Sequence, residues 1–175
     1  YQTHAYVTNP NLLAGFGFDQ GFDTFEDLGS IDWRRSKVDA AEVFERVRAQ
    51  LDSAARGPAF HWIHLMDPHS PYRPDESQLQ AATQAFGTGR AHGHLRYSGE
   101  ILDVDTRIGG FLDELRARGL YERSLIAVVS DHGEAFGEHG DHGHGRQMFE
   151  ESIRIPAVVK FPGGRHAGIR TESSL

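Results

Sequence analysis

The chain has 175 residues, 38% of them hydrophobic and 25% charged, with a formal net charge of −7 and no cysteine. A domain of this length buries roughly 70% of the surface its unfolded chain exposes, and this composition argues against a disordered or fibrous chain. The acidic balance excludes broad nucleic-acid affinity, which rests on clustered Lys and Arg; the missing cysteines exclude disulfides and thiolate metal sites; no apolar run approaches the roughly 20 residues of a membrane-spanning helix.

In chain order, "THAYVT" from Thr3 carries β-favouring residues and is expected to form a short strand. The Gly- and Asp-rich stretch "GFGFDQGFDTFEDLG" reads as an irregular connection, anchored on the core by Phe16, Phe18, Phe22 and Phe25. In "SKVDAAEVFERVRAQL", Ser36 is the expected N-cap with Asp39 three residues on, and Ala41, Phe44, Val47 and Leu51 recur along one helical face. "AFHWIHLM", Ala59 to Met66, reads as a buried strand ended by the prolines of "DPHSPYRP". Its His61 and His64 fit hydrogen-bonded core or sheet-face positions better than catalysis. "AATQAFGTGRAHGH" is weakly patterned and predicts a short helix and a loop.

The strongest helical signal is "YSGEILDVDTRIGGFLDELRARG", where Tyr97, Ile101, Val104, Ile108, Phe111 and Leu115 alternate spacings of three and four, and Gly119 supplies a stop. "SLIAVV", Ser124 to Val129, is expected as a second buried strand and "PAVVKFP" from Pro156 as a third. Neither an internal repeat nor a linker divides the chain, which reads as one domain over residues 1–175.

Two apolar strands separated by a long amphipathic helix predict a strand, crossover, strand unit, and such units place their strands parallel. The loops after them, "MDPHSPY" and "SDHGE", then meet at one sheet edge, where open α/β sheets bind ligands. That would gather Asp67, His69, Asp131 and His132. The second loop runs on as "SDHGEAFGEHGDHGHG", rich in histidine, acid and glycine. Asp131 and His132 pair a hard carboxylate with an imidazole, a set suited to a divalent cation, and Gly133 allows a tight turn. A plain turn cap is the competing reading of Asp131. His142 and His144 could add ligands, donate to an anionic substrate or carry protons. Glu138 and His139 read as scaffolding of the loop.

"WIHLMDPHSPYRP", "YSGEILDVDTRIGGFLDELRARGLYERSLIAVVSDHGE" and "GEHGDHGHGRQMFEESIRIPAVVKFPG" stand in the order and spacing of sulfatase signatures. The chain thus resembles the sulfatase family of the alkaline-phosphatase-like superfamily over nearly its whole length, "YQTHAYVTNPNLL" and "GFDQGFDTF" included. The resemblance implies an α/β fold, a largely parallel central sheet flanked by helices, and a metal-dependent sulfuric ester hydrolase acting on a sulfate ester. It implies Asp131 and His132 as ligands of a divalent cation, calcium first, with zinc or manganese as alternatives. It assigns His69 and His144 as substrate-binding and catalytic residues, His69 near the leaving oxygen and His144 at the ester anion; Glu150 and Arg154 also match frequent family positions.

Two departures accompany the resemblance. Sulfatases make a formylglycine nucleophile from Cys or Ser in C/S-x-P-x-R and draw two further metal carboxylates from an Asp-Asp pair; "SPYRP" has another spacing, and no Asp-Asp pair occurs. With Tyr1 as first residue, the expectation is a partial catalytic domain, incomplete at its N-terminus and inactive alone, with the formylglycine outside this chain. Nor does Gly-Lys-Trp-His follow the first strand, where "HAYVTNPN" stands instead. That removes a cation from the anion pocket, and it keeps a phosphoryl-transfer relative acting on a phosphate ester, or a non-catalytic metal-binding fragment, as alternatives. A periplasmic or extracellular location follows from family resemblance alone.

Overall fold

The described residues of the computed structural model are 1–29, 37–51, 57–89 and 92–171. They group into two units, Tyr1–Ile108 and Gly109–Leu175, whose boundary falls inside a helix and not in a linker.

The first unit is built on β1 (Gln2–Val7), which pairs in parallel with β2 (Thr24–Asp27) on one side and β3 (Ala59–Ile63) on the other. A central strand loses both backbone edges to neighbours, and Ala5, Tyr6 and Val7 are fully buried, as such a position requires. β2 lies inside the stretch expected to be irregular. "TFED" lacks an apolar alternation because it is an edge strand, held by its ladder and by Asp23, which accepts from Thr3 N at 2.9 Å. Phe22 and Phe25 anchor as expected, Phe22 stacking within 5.9 Å of Trp62 and 6.2 Å of Phe60. Phe16 and Phe18 do not; they are 69% and 41% exposed.

α1 (Ala40–Leu51) buries Ala40, Val43, Phe44, Val47 and Leu51. The expected face is therefore right at Phe44, Val47 and Leu51, whereas Ala40 and Val43 take the place of Ala41. Asp39 is the working cap: its carboxylate accepts from Ala41 N at 2.7 Å and its carbonyl from Glu42 N at 3.0 Å. Ser36, the expected cap, lies outside the described residues. α2 (Glu76–Phe86) starts earlier than its weak pattern predicts, because Asp75 and Gln78 form a capping box, and it stops at Gly87. α3 (His92–Ala117) carries Leu95, Ser98 and Glu100 buried in this unit.

The second unit takes the end of α3, with Phe111 and Leu115 buried, and the stop at Gly119, whose φ is +66. β4 (Ile126–Val129) pairs antiparallel with β7 (Ala157–Lys160). Both runs were expected as buried strands, yet Val128, Val129, Val158 and Val159 are 41%, 63%, 64% and 49% exposed. A run apolar on both faces suits a strand with partners on all sides, and among the described residues β4 and β7 have only each other in their ladder. Within the first unit β3 pairs with β1, and within the second β4 pairs with β7. A hairpin of β5 (Ala135–Phe136) and β6 (His142–Gly143) and the short α4 (Glu150–Ile153) complete the unit.

Candidate active site

In the first unit, His69 sits on the turn after β3, where its N–H donates to Met66 O at 2.8 Å. Its Nδ1 lies 2.6 Å from Ser70 O, and a carbonyl can only accept, so Nδ1 carries the proton. In the neutral ring, Nε2 is then the acceptor and the nitrogen able to take up a proton. The loop is fastened by Lys37, whose ammonium stands 2.9 Å from His69 O, 2.9 Å from Asp67 and 2.8 Å from Glu100. Glu100, on α3, uses its other oxygen to accept from Arg73 N at 2.5 Å. Arg96 Nε donates to Tyr72 O at 2.9 Å.

Asp67, expected at the sheet edge beside the ligands, thus points its carboxylate into an ion pair. Beside it opens a cleft of about 330 Å³ lined by Lys37, Asp39, Asp67, Arg73, Glu100 and Asp103. Carboxylates outnumber cations four to two among these residues, a balance that does not favour an anion. Thr8 is buried, donates to His64 O and meets His64 Nδ1 at 3.1 Å. It ties the ends of β1 and β3 together, and His64 is satisfied as expected. His61 is not: both its ring nitrogens are buried without a hydrogen bond, and burial, with neighbouring His4, pushes its pKa down to about 4.

In the second unit, β4 delivers Ser130, Asp131 and His132 to a turn. His132 donates from Nδ1 to Gly133 O at 2.7 Å, which leaves Nε2 as the acceptor nitrogen of the neutral ring, the arrangement a ligating histidine would need. Nε2 lies 3.7 Å from Asp131 Oδ1. Two ligands on one divalent cation stand up to about 4 Å apart, given metal–ligand bonds near ~2 Å, so the pair fits a cation. Both side chains reach solvent, Asp131 being 71% and His132 38% exposed. No group of three or more such residues that could hold a metal ion occurs among the described residues.

Gly133 matters for closeness rather than for φ. A Cβ there would lie 2.1 Å from Glu151 O, and its N–H donates to Ser152 O at 2.8 Å.

The hairpin returns His144 to the same place: its ring stacks on that of His132 with centroids 3.9 Å apart. His144 Nδ1 meets Glu134 Oε1 at 2.9 Å, and the Glu134 side chain is only 5% exposed. A carboxylate accepts, so this bond sets the His144 tautomer with the proton on Nδ1. Glu134, the last letter of "SDHGE", carries no signal of this role in the sequence, since a glutamate buried against a histidine is indistinguishable by composition from a solvated one. Glu138 accepts from Phe136 N at 2.6 Å, and His139 bonds Glu151 at 2.8 Å while stacking on Phe149, so both are scaffolding. Asp131, His132, Glu134 and His144 form one cluster of the second unit, and His69 with Lys37, Asp67 and Glu100 one of the first.

The model of the Sulfatase family matches residues 1–174. An endo-4-O-sulfatase from Bacteroides thetaiotaomicron is 27% identical over 122 residues, 61% of this chain and 24% of that protein. A ulvan-active sulfatase from Formosa agariphila is 26% identical over 136 residues, 69% of this chain and 27% of that one. The chain therefore spans about a quarter of the length of these relatives. A multifunctional alkaline phosphatase superfamily protein from Trinickia caryophylli is 40% identical over 74 residues, 41% of this chain and 14% of the relative. In fold, the chain is similar to BT4656, solved with D-glucosamine-2-N,6-O-disulfate, at a TM-score of 0.66 and 17% identity over 93% of this chain and 53% of that one. The phosphonate monoester hydrolase of Agrobacterium radiobacter follows at 0.60 and 16%, over 93% of this chain and 51% of that one. With an alkaline-phosphatase-like α/β fold and a family match that runs almost end to end, this chain belongs to the sulfatase family.

Proposed function

We propose that this chain is part of a metal-dependent sulfuric ester hydrolase whose formylglycine nucleophile and remaining metal carboxylates come from residues outside it. One observation carries the reading: two histidines of the motif-bearing loops stack at 3.9 Å, each with Nδ1 fixed by an acceptor, beside an exposed aspartate. Asp131 and His132 would hold the cation. Once bound, a divalent ion polarises an ester oxygen and offsets charge on the group transferred. Carboxylate ligands favour calcium, and added imidazole would favour zinc or manganese.

The remaining steps belong to this chain's own side chains. His144, its Nδ1–H held by Glu134, would donate from Nε2 to the negative charge that grows on the ester oxygens when its ring carries both protons. His69, with Nδ1–H engaged by Ser70 O, would carry its mobile proton on Nε2 and pass it to the leaving oxygen as the ester S–O bond breaks. Asp131→Ala in the active catalytic domain is expected to abolish metal occupancy and turnover together, read by elemental analysis and by sulfate release. Retained metal with an unchanged rate would sink the assignment.

A phosphoryl-transfer activity is the second reading. The relative from Trinickia caryophylli, named as multifunctional within the alkaline phosphatase superfamily, favours it, as does "HAYVTNPN" in place of Gly-Lys-Trp-His. Matched aryl sulfate, phosphonate and phosphate diester substrates separate the readings, since the sulfatase requires the sulfate ester to turn over fastest.

A further inference from the structure

We infer that Lys37 is a positioning residue for His69, acting through a three-way ammonium clamp that ties the 67–73 loop to α3. The inference rests on the reading of His69 as the group that protonates the leaving oxygen. An ammonium has three donors and no acceptor. Lys37 places Nζ within 2.9 Å of three oxygens, two of them on this loop, Asp67 Oδ1 and His69 O, and the third on Glu100 of α3.

Glu100 then reaches the far end of the loop through Arg73 N. The segment is thus held at its start, at the histidine and at its end by one buried pair, whose side chains are 12% and 8% exposed. Pro68 and Pro71 flank His69 and fix φ on either side. A salt bridge needed only for stability could face any part of the fold, but this one spends its bonds on the backbone that carries the histidine. A displacement of about 1 Å in a proton donor costs on the order of 10²-fold in rate. A side chain that fixes the histidine's backbone therefore has catalytic consequences without touching substrate.

The test combines kinetics with spectroscopy. In the active catalytic domain, Lys37→Met is expected to slow esters with poor leaving groups by about 10-fold or more and activated aryl esters little, because only the former need the proton. Lys37→Arg should recover most of that loss. On a His69→Ala background, Lys37→Met should add nothing further. Equal loss on both ester classes, or a further loss on the His69→Ala background, overturns the clamp as a positioning device.

Glu100→Gln keeps an acceptor for Arg73 N and should give a milder effect in the same direction; this near-isosteric change guards against Lys37→Met failing to fold. In the 175-residue chain itself, Lys37→Met should shift the ¹⁵N ring signals of His69 and speed amide exchange at residues 69–73. If both are unchanged in a folded variant, the clamp is refuted whatever the kinetics. Should His69→Ala leave poor-leaving-group turnover intact, the general-acid reading falls by itself, and the ring and exchange signals still decide whether Lys37 holds the loop.

Discussion

At the scale of single residues, Gly133 shows how little space the candidate metal turn leaves. With the Glu151 carbonyl 2.1 Å from where a Cβ would stand, alanine forces the backbone of 131–133 away from 151–152, and neither side is a flexible side-chain tip. Gly133→Ala should therefore destabilise the chain by about 1–3 kcal/mol, the usual cost of overpacking. It should also move the His132 ring signals, since His132 takes its orientation from Gly133 O. Denaturant titration and ¹H–¹⁵N spectra check both; a wild-type midpoint would show that the turn yields freely. Asp131, His132 and His144 were conspicuous in the sequence as candidates because acid and imidazole crowd the loop after an apolar strand. Glu134 and Lys37 were not. Glu134 acquires its meaning from the hairpin that returns His144, and Lys37 from acceptors 32 and 63 residues further along the chain.

At the scale of elements, α2 illustrates a boundary set by hydrogen bonds rather than by pattern. Its apolar periodicity is weak and only Ala82 is buried, yet Asp75 accepts from Gln78 N at 2.8 Å while the Gln78 side chain accepts from Asp75 N at 2.7 Å. Hydrogen bonds from the Ser77 hydroxyl and from Gln78 N hold the Asp75 carboxyl below its usual range. Asp75→Ala should lower the melting temperature by a few degrees and raise amide exchange in 76–79, with Asp75→Asn losing much less. An unaltered exchange pattern in Asp75→Ala would mean that packing alone sets the helix start.

The same distinction explains the strands. β1, β3, β4 and β7 announce themselves by β-branched and apolar residues, whereas β2 is specified by its neighbour's ladder and not by its own letters. Which strands pair is not local information at all, so the crossover expected between β3 and β4 could not be checked against any signal in either run. The exposed valines of β4 and β7 carry the same lesson, since their two-sided apolar pattern records surroundings that the strand itself does not specify.

At the scale of the whole molecule, family membership was readable because motif order and spacing survive where pairwise identity falls to 26–27%. The acid response expected of His61 was not readable, because its shift comes from its surroundings in the fold. His61 stacks 4.9 Å from His4 and 6.3 Å from Tyr6, and its ring nitrogens, His4 Nε2 and the Tyr6 hydroxyl are all buried without hydrogen bonds. Burial favours the neutral imidazole, which lowers its pKa from 6.5 to about 4, while burial raises the Tyr6 hydroxyl to about 12. Between those two histidine values the unfolded chain binds a proton that the folded chain refuses, so stability rises with pH across the window. The contribution is complete above pH 6.5 and is lost progressively as pH falls to about 4. Asp23 and Asp75, whose carboxyls are held below the ordinary 3.8, withdraw their contributions only at lower pH, so the windows separate. Urea midpoints at pH 7, 5.5 and 4.5 should therefore fall steadily for the native sequence. His61→Phe, which keeps a ring of similar shape and removes the titrating nitrogens, should flatten the slope between pH 6.5 and 4.5. If the variant keeps the full slope, the acid sensitivity arises elsewhere and His61 is neutral for some reason other than its burial.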